Sequence, residues 1–529
     1  MPPKTNLFRP ALLGLLALKT LLHSWAVSTG YGLHRDEFLY LAEGAHPGWG
    51  YMEGPPIIGW VATLSTSLLG SSIWAAKLPV LLIGLLSIYV LLSCVREFGG
   101  GKMAQFLAGL AWVLSPVYLG SNSLFQPVSF NQFAWLLLAW SWIRLIKYQR
   151  RQDYLQIGLV IGLALLTKYS AAFYLIALCV GILLTPQRRL LVHRYTLASL
   201  GLAMVLFLPN LIWQITHNFP VVGHMRELAE TQLVNVSTLD FLLPQFLFHA
   251  GGIFFWLTGL LFLLGFLKTS GLDLTAFRSL GFAYLGVIIL LLALSGKSYY
   301  SYGAYSILYA AGAIFWTQRL ARRSWLIVLP LALNLFFIPF ALPVLPVQQM
   351  RDYGDFASKT FGFNAPLRWE DGSYRRLSQD YADMHGWEEM ANKVAGFYHG
   401  LTPQEQANCM IEAGNYGQAG ALTFYQEKYD LPKIHSFNAS FLLWEDGQLD
   451  FDHQIIIDDY PNPTSRFFGE NRLLDSSRTE FAREQHFIYF RSQPTEDIAP
   501  VWETVVAQRW CEELGRLPKG MKGQTCQQE

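Results

Sequence analysis

Residues 31–60 read YGLHRDEFLYLAEGAHPGWGYMEGPPIIGW and follow directly on the first long apolar segment of the chain. They carry four carboxylates, Asp36, Glu37, Glu43 and Glu53, at a place where a membrane protein otherwise keeps apolar residues. Acidic groups at the mouth of a membrane bundle lose hydration energy unless they bind a cation, form pairs or exchange protons. The stretch therefore predicts a functional site at one end of a bundle of membrane helices.

The composition is that of a membrane protein with a polar C-terminal part. Of 529 residues, 52% are hydrophobic and 15% are charged, whereas soluble domains average about 25% charged residues. Charges are sparse up to Leu345 and dense from Arg351 onwards. We therefore expect a transmembrane domain over residues 1–348, with a large first outer loop at 28–77, and an extracytoplasmic α/β accessory domain over 349–529. The net charge of +1 provides no basic surface for nucleic acid.

Ten apolar segments are long enough, or nearly long enough, to cross a bilayer. They lie at residues 12–27, 78–95, 103–119, 130–146, 155–184, 196–215, 246–267, 280–294, 302–316 and 325–345. The first is expected to be a retained span, because no convincing small-residue cleavage site follows it before His34. Lys and Arg cluster in alternate connections, which the positive-inside rule places in the cytoplasm.

Segment 155–184 has basic connections at both ends, so a single crossing would break the positive-inside rule. Two short helices that meet at residues 167–170 would satisfy it, although each would be only about 14 residues or roughly 21 Å long, against an apolar thickness of about 30 Å. This arrangement also moves Lys168 from mid-membrane to the outer face. The prediction is then a polytopic α-helical protein of the bacterial cytoplasmic membrane, with about eleven transmembrane helices and its C-terminal domain outside.

Asp36 and Glu37 open a helical pattern and so occupy its first turn, where carboxylates favour the helix dipole. Simple capping is one explanation of them. The other is chemistry, because a carboxylate accepts a proton from an acceptor hydroxyl or holds a divalent cation such as Mg²⁺ or Mn²⁺. The segment from Gly50 to Pro56 is a stiff glycine and proline loop that presents Tyr51 and Glu53, or a plain re-entrant turn. We predict Asp36, Glu37 and Glu53 as catalytic residues, with Asp36 also the candidate metal ligand.

Lys168, Lys297, Tyr299 and Tyr300, with Tyr51 from the first loop, predict a binding site for a phosphate headgroup. Ammonium and phenol groups donate to phosphate oxygens, and the predicted topology places all of them on the outer face. Tyr and Lys are also common at membrane boundaries. Interfacial anchoring therefore explains the same residues and stays open.

The polar domain shows strand-like runs at 409–411, 453–457 and near 486–491, and a helical pattern at 418–428, which indicate a small α/β fold. Residues 412–420 (EAGNYGQAG) follow a strand and lead into a helix, so their backbone amides are candidates to hold an anion. They do not form a phosphate-loop or dinucleotide fingerprint. We expect an accessory or substrate-guiding domain without a catalytic residue.

If the polar domain is exported, Cys511 and Cys526 are able to form a disulfide. Cys94 and Cys179 lie in apolar segments and are expected to be inert packing residues.

Four motifs together resemble bacterial glycosyltransferase family 39 proteins, a group related to the protein O-mannosyltransferases and the lipid A aminoarabinose transferases. They are Asp36-Glu37 after the first span, Tyr-x-x-x-Pro-Pro at 51–56, LLTKYS at 165–170 and Lys-x-Tyr-Tyr at 297–300. Residues 415–421 (NYGQAGA) resemble the C-terminal domain of one bacterial subgroup.

The resemblance implies a C-type glycosyltransferase fold. It also implies transfer of a hexosyl or pentosyl group from a polyprenyl-phosphate sugar, at the outer leaflet, to a lipid, glycan or protein acceptor with inversion. Asp36 would be the base or a cation ligand. Lys168, Lys297 and the nearby tyrosines would neutralise the departing lipid phosphate.

The sequence departs from the group in one respect. Related enzymes often carry another acidic residue on the second outer loop or at the start of the following helix, but residues 102–152 contain no Asp or Glu. Glu53 is the candidate to compensate. Two alternative functions stay open: a transporter or flippase, although no internal repeat is visible, and a catalytically inactive binding relative.

Overall fold

The computed structural model describes residues 7–462, 464–476, 478–518, 521 and 526. Within them, the α-helices in chain order are α1 Arg9–Val27, α2 Arg35–Ala45, α3 Ile57–Leu69, α4 Ile73–Phe98, α5 Lys102–Val113, α6 Pro116–Ser121, α7 Pro127–Tyr148, α8 Arg151–Thr167, α9 Ala171–Leu183, α10 Arg194–Thr216, α11 Pro220–Thr231, α12 Thr238–Leu247, α13 Ile253–Leu264, α14 Arg278–Ala293, α15 Ser306–Leu320, α16 Leu333–Ala341, α17 Val347–Phe361, α18 Gln379–Ala382, α19 Trp387–His399, α20 Pro403–Ala407, α21 Tyr416–Tyr429 and α22 Ile498–Leu514. The strands are β1 Cys409–Ala413, β2 Ile434–His435, β3 His453–Asp458, β4 Phe468–Asp475 and β5 Phe487–Pro494. Short 3-10 helices lie at Pro186–Val192, Leu233–Asn235, Ala250–Gly252, Thr275–Phe277, Ser298–Tyr305, Ala321–Ala332, Ala365–Leu367 and Ala439–Trp444.

The chain forms two compact units. Unit 1 contains Met1–Thr29, Lys77–Leu211 and Leu228–Leu345, and unit 2 contains Gly30–Ala76, Ile212–Glu227 and Pro346–Glu529. The sequence analysis assigned the first outer loop, residues 28–77, to the membrane domain. In the structure most of that loop instead forms one unit with the C-terminal part of the chain, because α2 packs against α21.

Unit 1 is a helical bundle with an aromatic core. Its large, fully buried side chains include Trp112, Tyr118, Trp135, Tyr305 and Tyr309. Many leucines on the outside of the same helices are exposed, as expected for surfaces that face lipid rather than water.

Among the described residues, five continuous helical segments are long and apolar enough to cross a membrane: Arg9–Val27, Ile73–Phe98, Arg194–Thr216, Thr275–Ala293 and Ser298–Ala341. Two helix pairs bent by 113° and 83° raise the number to as many as seven. The prediction of about eleven spans stays a prediction, because several apolar segments are interrupted. The segment 103–119, for example, is divided between α5 and α6 by Pro116, which begins a new helix.

The predicted break within residues 155–184 is confirmed. Helix α8 ends at Thr167, Lys168 is its C-terminal cap residue in extended conformation, and α9 begins at Ala171.

Unit 2 contains a five-stranded mixed sheet in the order β2-β1-β3-β5-β4. Strand β1 is parallel to β2 and β3, whereas β5 is antiparallel to β3 and β4. The three predicted strands and the predicted helix, α21, are confirmed. The missed strands are β2, which has two residues, and β4, whose largely exposed residues show no buried face. The predicted disulfide between Cys511 and Cys526 is present.

Candidate active site

The acidic stretch of the first loop forms helix α2, which begins with a reciprocal cap. The imidazole Nδ1 of His34 accepts the backbone N–H of Asp36 at 3.2 Å, and the carboxylate of Glu37 accepts the backbone N–H of His34 at 2.8 Å. Glu37 is fully buried. The prediction of Glu37 as a catalytic residue therefore does not fit its position, since its carboxylate is enclosed and satisfies the helix terminus.

Asp36 is the carboxylate of α2 that keeps access to solvent, with 29% of its side chain exposed. The Tyr416 hydroxyl, at the start of α21, donates to Asp36 Oδ1 at 2.8 Å. The guanidinium of Arg35 lies 4.6 Å from the centre of the Tyr416 ring, and its Nη1 lies 3.0 Å from Glu484 Oε1. Burial, and next the charge of Asp36, raise the pKa of Tyr416 well above its usual value, so the phenol stays protonated and donates.

A polar network supports the first turn of α21. The Asn415 amide donates to both oxygens of Asp459 at 2.8 Å and to Glu484 Oε2 at 3.2 Å. The Gln418 amide donates to Asp459 Oδ1 at 2.6 Å. Burial, and next the charge of Glu484, raise the pKa of Asp459 to about 6. Both carboxylates of the network therefore accept hydrogen bonds from amides, and Arg35 pairs with Glu484.

Three backbone amides of the EAGNYGQAG loop are bonded within the protein. The N–H of Gly414 donates to Ile457 O at 2.8 Å, that of Tyr416 to Asn438 Oδ1 at 3.0 Å, and that of Gln418 to Asn415 Oδ1 at 3.0 Å. These three donors are therefore engaged, and the anion-binding role of the loop stays a prediction.

Glu43 and Glu53 form a carboxyl pair further along the first loop. Glu43 is 1% exposed, and burial, followed by the charge of Glu53 and a hydrogen bond with it, raises the pKa of Glu43 well above its usual value. Glu53 accepts from the backbone N–H of Ser440 at 2.8 Å and from its hydroxyl at 2.5 Å. Glu43 is therefore the protonated member of the pair, and Glu53 anchors the loop to the segment Ala439–Trp444.

Tyr51 is 2% exposed, and its hydroxyl donates within the loop, to Glu43 O at 3.1 Å and His46 O at 3.3 Å. The structure therefore gives Tyr51 a bracing role inside the loop. Its predicted contact with a donor phosphate does not fit this enclosed position.

The predicted cationic and phenolic residues of unit 1 lie together in part. Lys168 Nζ lies 5.8 Å and 5.4 Å from the ring centres of Tyr299 and Tyr300, at distances typical of cation–π contacts. Lys297 donates to Gln232 Oε1 at 2.5 Å. The ring of Tyr299 contacts that of Tyr300 edge-on at 4.6 Å. Lys168 and the two rings thus form one cluster that contains an ammonium group and two phenol donors.

Sequence reasoning missed one group with the composition of a metal site. Among the described residues, ligand atoms of Asp459, Glu484 and His486 lie within 4.8 Å of one another. Burial lowers the pKa of His486 to about 4, so its imidazole is neutral, as metal binding requires. Arg35 and the Asn415 amide already bond to the two carboxylates, which disfavours a cation there. The group does not include Asp36.

The second outer loop offers amides where a carboxylate was expected. Asn122 is 2% exposed at the end of α6, and the Asn131 amide donates to Ser170 Oγ at 3.2 Å. Since residues 102–152 contain no Asp or Glu, no carboxylate of this region is available to join Asp36 in a metal site.

Comparison with known proteins gives two kinds of match. Residues 53–213 match the family model described as dolichyl-phosphate-mannose-protein mannosyltransferase. A lipid A galacturonosyltransferase, RgtD of Rhizobium johnstonii, is 31% identical over 207 residues, which make up 37% of this chain and 42% of that relative. The aligned region therefore spans less than half of this curated relative.

Solved structures match over most of the chain. ArnT from Cupriavidus metallidurans, bound to undecaprenyl phosphate, has a TM-score of 0.58 at 17% identity. The match covers 90% of this chain and 97% of the ArnT chain. Arabinofuranosyltransferase AftD from Mycobacteria has a TM-score of 0.50 at 12% identity, and the match covers 94% of this chain and 42% of the AftD chain. The chain therefore shares its fold with ArnT. The resemblance seen in the sequence is confirmed: the chain is related to ArnT and to the protein mannosyltransferases.

Proposed function

We propose that the protein is an integral-membrane glycosyltransferase. It moves a sugar from a polyprenyl-phosphate donor to a lipid, glycan or protein acceptor at the outer face of the bacterial cytoplasmic membrane, with inversion. The observation that carries the proposal is Asp36, a partly exposed carboxylate at the start of α2 that a protonated tyrosine holds in place. The match to a family of lipid-phosphate-sugar transferases and the likeness to ArnT, whose structure holds undecaprenyl phosphate, support the substrate class.

The proposed reaction is a single displacement in which Asp36 is the base. Asp36 accepts the proton of the acceptor hydroxyl, and the acceptor oxygen forms a bond to the anomeric carbon. The bond from that carbon to the phosphate oxygen breaks, and the lipid phosphate leaves with the electron pair. One displacement inverts the anomeric carbon. An alternative role for the same carboxylate is to hold Mg²⁺ or Mn²⁺ on oxygen ligands.

Replacement of Asp36 by Asn tests the proposal. We expect transfer from a radiolabelled polyprenyl-phosphate sugar, in membranes at matched protein levels, to fall about 10²- to 10⁴-fold, as loss of a general base does. Asp352→Asn removes a carboxylate that is 65% exposed and lies outside the site, and should leave transfer unchanged. Inhibition of the wild type by a chelator would show that a cation takes part.

Two outcomes contradict the proposal in different ways. Absence of transfer by the wild type across several donor sugars would favour the transporter or the inactive relative. Full transfer by Asp36→Asn, with an active wild type, would show that α2 does not carry the base.

The cluster of Lys168, Tyr299 and Tyr300 is proposed to bind the donor phosphate. An ammonium group beside two phenols balances phosphate charge and donates hydrogen bonds to its oxygens. We expect Lys168→Met to raise the KM for the donor about tenfold, because a hydrogen bond to a charged group is worth about 1.5 kcal/mol or more. Arg319→Met, at the opposite predicted face of the bundle, is the control and should leave KM unchanged. An unchanged KM in Lys168→Met would contradict the assignment.

A further inference from the structure

We infer that Tyr416 is a positioning residue for Asp36, and that the NYGQAG motif exists to dock the accessory domain onto the helix that carries this carboxylate. The inference rests on the proposed function, because it assigns a role toward the proposed base. It gives the C-terminal domain a part in the reaction.

The two glycines of the motif allow helix α21 to approach α2 closely. A Cβ at Gly420 would lie 2.8 Å from the backbone carbon and from Cβ of Phe38, and one at Gly417 would lie 2.9 Å from the Trp387 ring and 3.4 Å from Cβ of Arg35. Cβ atoms essentially never come within 3.0 Å of such neighbours without displacing them. The spacing Gly-x-x-Gly therefore places the first turn of α21 directly over Arg35 and Phe38, the residues on either side of Asp36 and Glu37.

The polar residues of the motif fix the direction of the first turn. Asn415 is the N-terminal cap of α21, accepting the N–H of Gln418 at 3.0 Å through its side-chain oxygen. Its amide nitrogen is held by Asp459 and Glu484. The N–H of Tyr416 donates to Asn438 Oδ1 at 3.0 Å. The backbone of Tyr416 is thus fixed on both sides, and from this position its hydroxyl donates to Asp36 Oδ1.

Arg35 connects the same network to α2. Its guanidinium pairs with Glu484 at 3.0 Å and covers the Tyr416 ring at 4.6 Å. Arg35, which precedes Asp36, and Tyr416, which donates to Asp36, therefore contact each other. A hydrogen bond to one oxygen of Asp36 limits rotation of the carboxylate and stabilises its charged form, which is the form that a base needs.

Tyr416→Phe in the full-length protein, reconstituted in lipid nanodiscs, tests the inference. The variant removes one oxygen and keeps the ring that the Arg35 guanidinium covers. We expect kcat to fall about tenfold, because the carboxylate of Asp36 loses the donor that holds one of its oxygens. The KM for the donor should stay within about twofold, and the melting temperature should not change. Tyr374→Phe, at a tyrosine that is 63% exposed, is the matched control.

The outcomes separate this inference from the proposed function. No transfer by the wild type would contradict the proposed function. An active wild type with a Tyr416→Phe variant of equal kcat would overturn the inference and leave the proposed function standing. A lower kcat together with a raised KM for the donor and a lower melting temperature would give Tyr416 a structural role alone, and would also overturn it.

Discussion

At the scale of single residues, Glu43 and Glu53 show how a carboxylate-rich loop avoids self-repulsion. Two adjacent charged carboxylates, one of them 1% exposed, would be strongly destabilising. Burial and Glu53 raise the pKa of Glu43, so Glu43 keeps its proton and donates it, while Ser440 satisfies Glu53.

This pairing predicts a pH dependence of stability. The folded protein holds the Glu43 proton more tightly than the unfolded chain. The contribution of Glu43 to the free energy of unfolding is therefore fully present below the unfolded pKa of about 4.3. It decreases as the pH rises toward the folded pKa. Glu43→Gln is neutral at every pH. We expect its thermal midpoint, relative to wild type, to rise by about 2 °C or more between pH 5 and pH 8.

Glu427→Gln, at an exposed position of α21, is the control for that measurement. Its midpoint should differ from wild type by the same amount at both pH values. A Glu43→Gln difference that also stays constant with pH would mean that Glu43 is charged in the folded protein.

The residue scale also shows where sequence reasoning succeeds. Acidic residues beside an apolar segment are visible in the sequence, so Asp36 was identifiable as a candidate. Its partner was not, because Tyr416 lies 380 positions away and a single sequence carries no signal for such a pairing. The burial of Glu37 and Tyr51 was not visible in the sequence, because tertiary contacts decide which side chains of a short loop are buried.

At the scale of elements, the packing of α21 on α2 determines how the accessory domain meets the first loop. The surface of α2 around Phe38 is closely covered: the Phe38 ring contacts Trp387 at 5.9 Å and Phe424 at 5.5 Å. Gly420 fits against Phe38 because it has no side chain. A larger residue must displace α21 or the α2 backbone.

Gly420→Ala tests this packing against Gly396→Ala. The first adds a Cβ within 2.8 Å of Phe38 and should destabilise unit 2 by about 1–3 kcal/mol. The second adds a Cβ with no atom within 4 Å to the exposed face of α19, and should stabilise it by about 0.5–1 kcal/mol. Chemical denaturation monitored by tryptophan fluorescence measures both. Equal effects would mean that α21 adjusts freely on α2.

Elements with a strong local signal were predictable, and the others were not. The break at Lys168 followed from charge alone, and β1, β3 and β5 followed from apolar runs. Strand β4 is an edge strand with exposed polar residues, so its formation depends on pairing with β5 rather than on its own pattern. The amphipathic helix α17 was missed because the composition changes within it from apolar to polar.

At the scale of the whole molecule, the chain enters unit 2 three times, at Gly30–Ala76, Ile212–Glu227 and Pro346–Glu529. Composition separates the apolar from the polar part of the sequence, but it does not show that the first loop belongs with the polar part. That grouping depends on contacts between distant segments. The carboxylates of the first loop and the NYGQAG motif consequently belong to unit 2, whereas Lys168, Tyr299 and Tyr300 belong to unit 1.

Two independent features support the predicted orientation of the molecule in the membrane. Basic residues in alternate connections place the connection between α7 and α8, which includes Arg150 and Arg151, in the cytoplasm. The disulfide between Cys511 and Cys526 is consistent with the predicted location of the C-terminal part outside the cytoplasm, where disulfides persist. Both features are satisfied if unit 2 lies outside the cytoplasmic membrane.

Cysteine labelling in intact cells tests this orientation. Cys94 and Cys409 are buried, whereas Cys179, expected to be a packing residue, is exposed, so a Cys179→Ala background removes the exposed native thiol. In that background, Tyr460→Cys, at a position in unit 2 that is 75% exposed, should react with a membrane-impermeant maleimide in intact cells. Arg151→Cys should react only after permeabilisation. The reverse pattern would place the proposed base on the cytoplasmic side, where a donor presented at the outer leaflet cannot reach it.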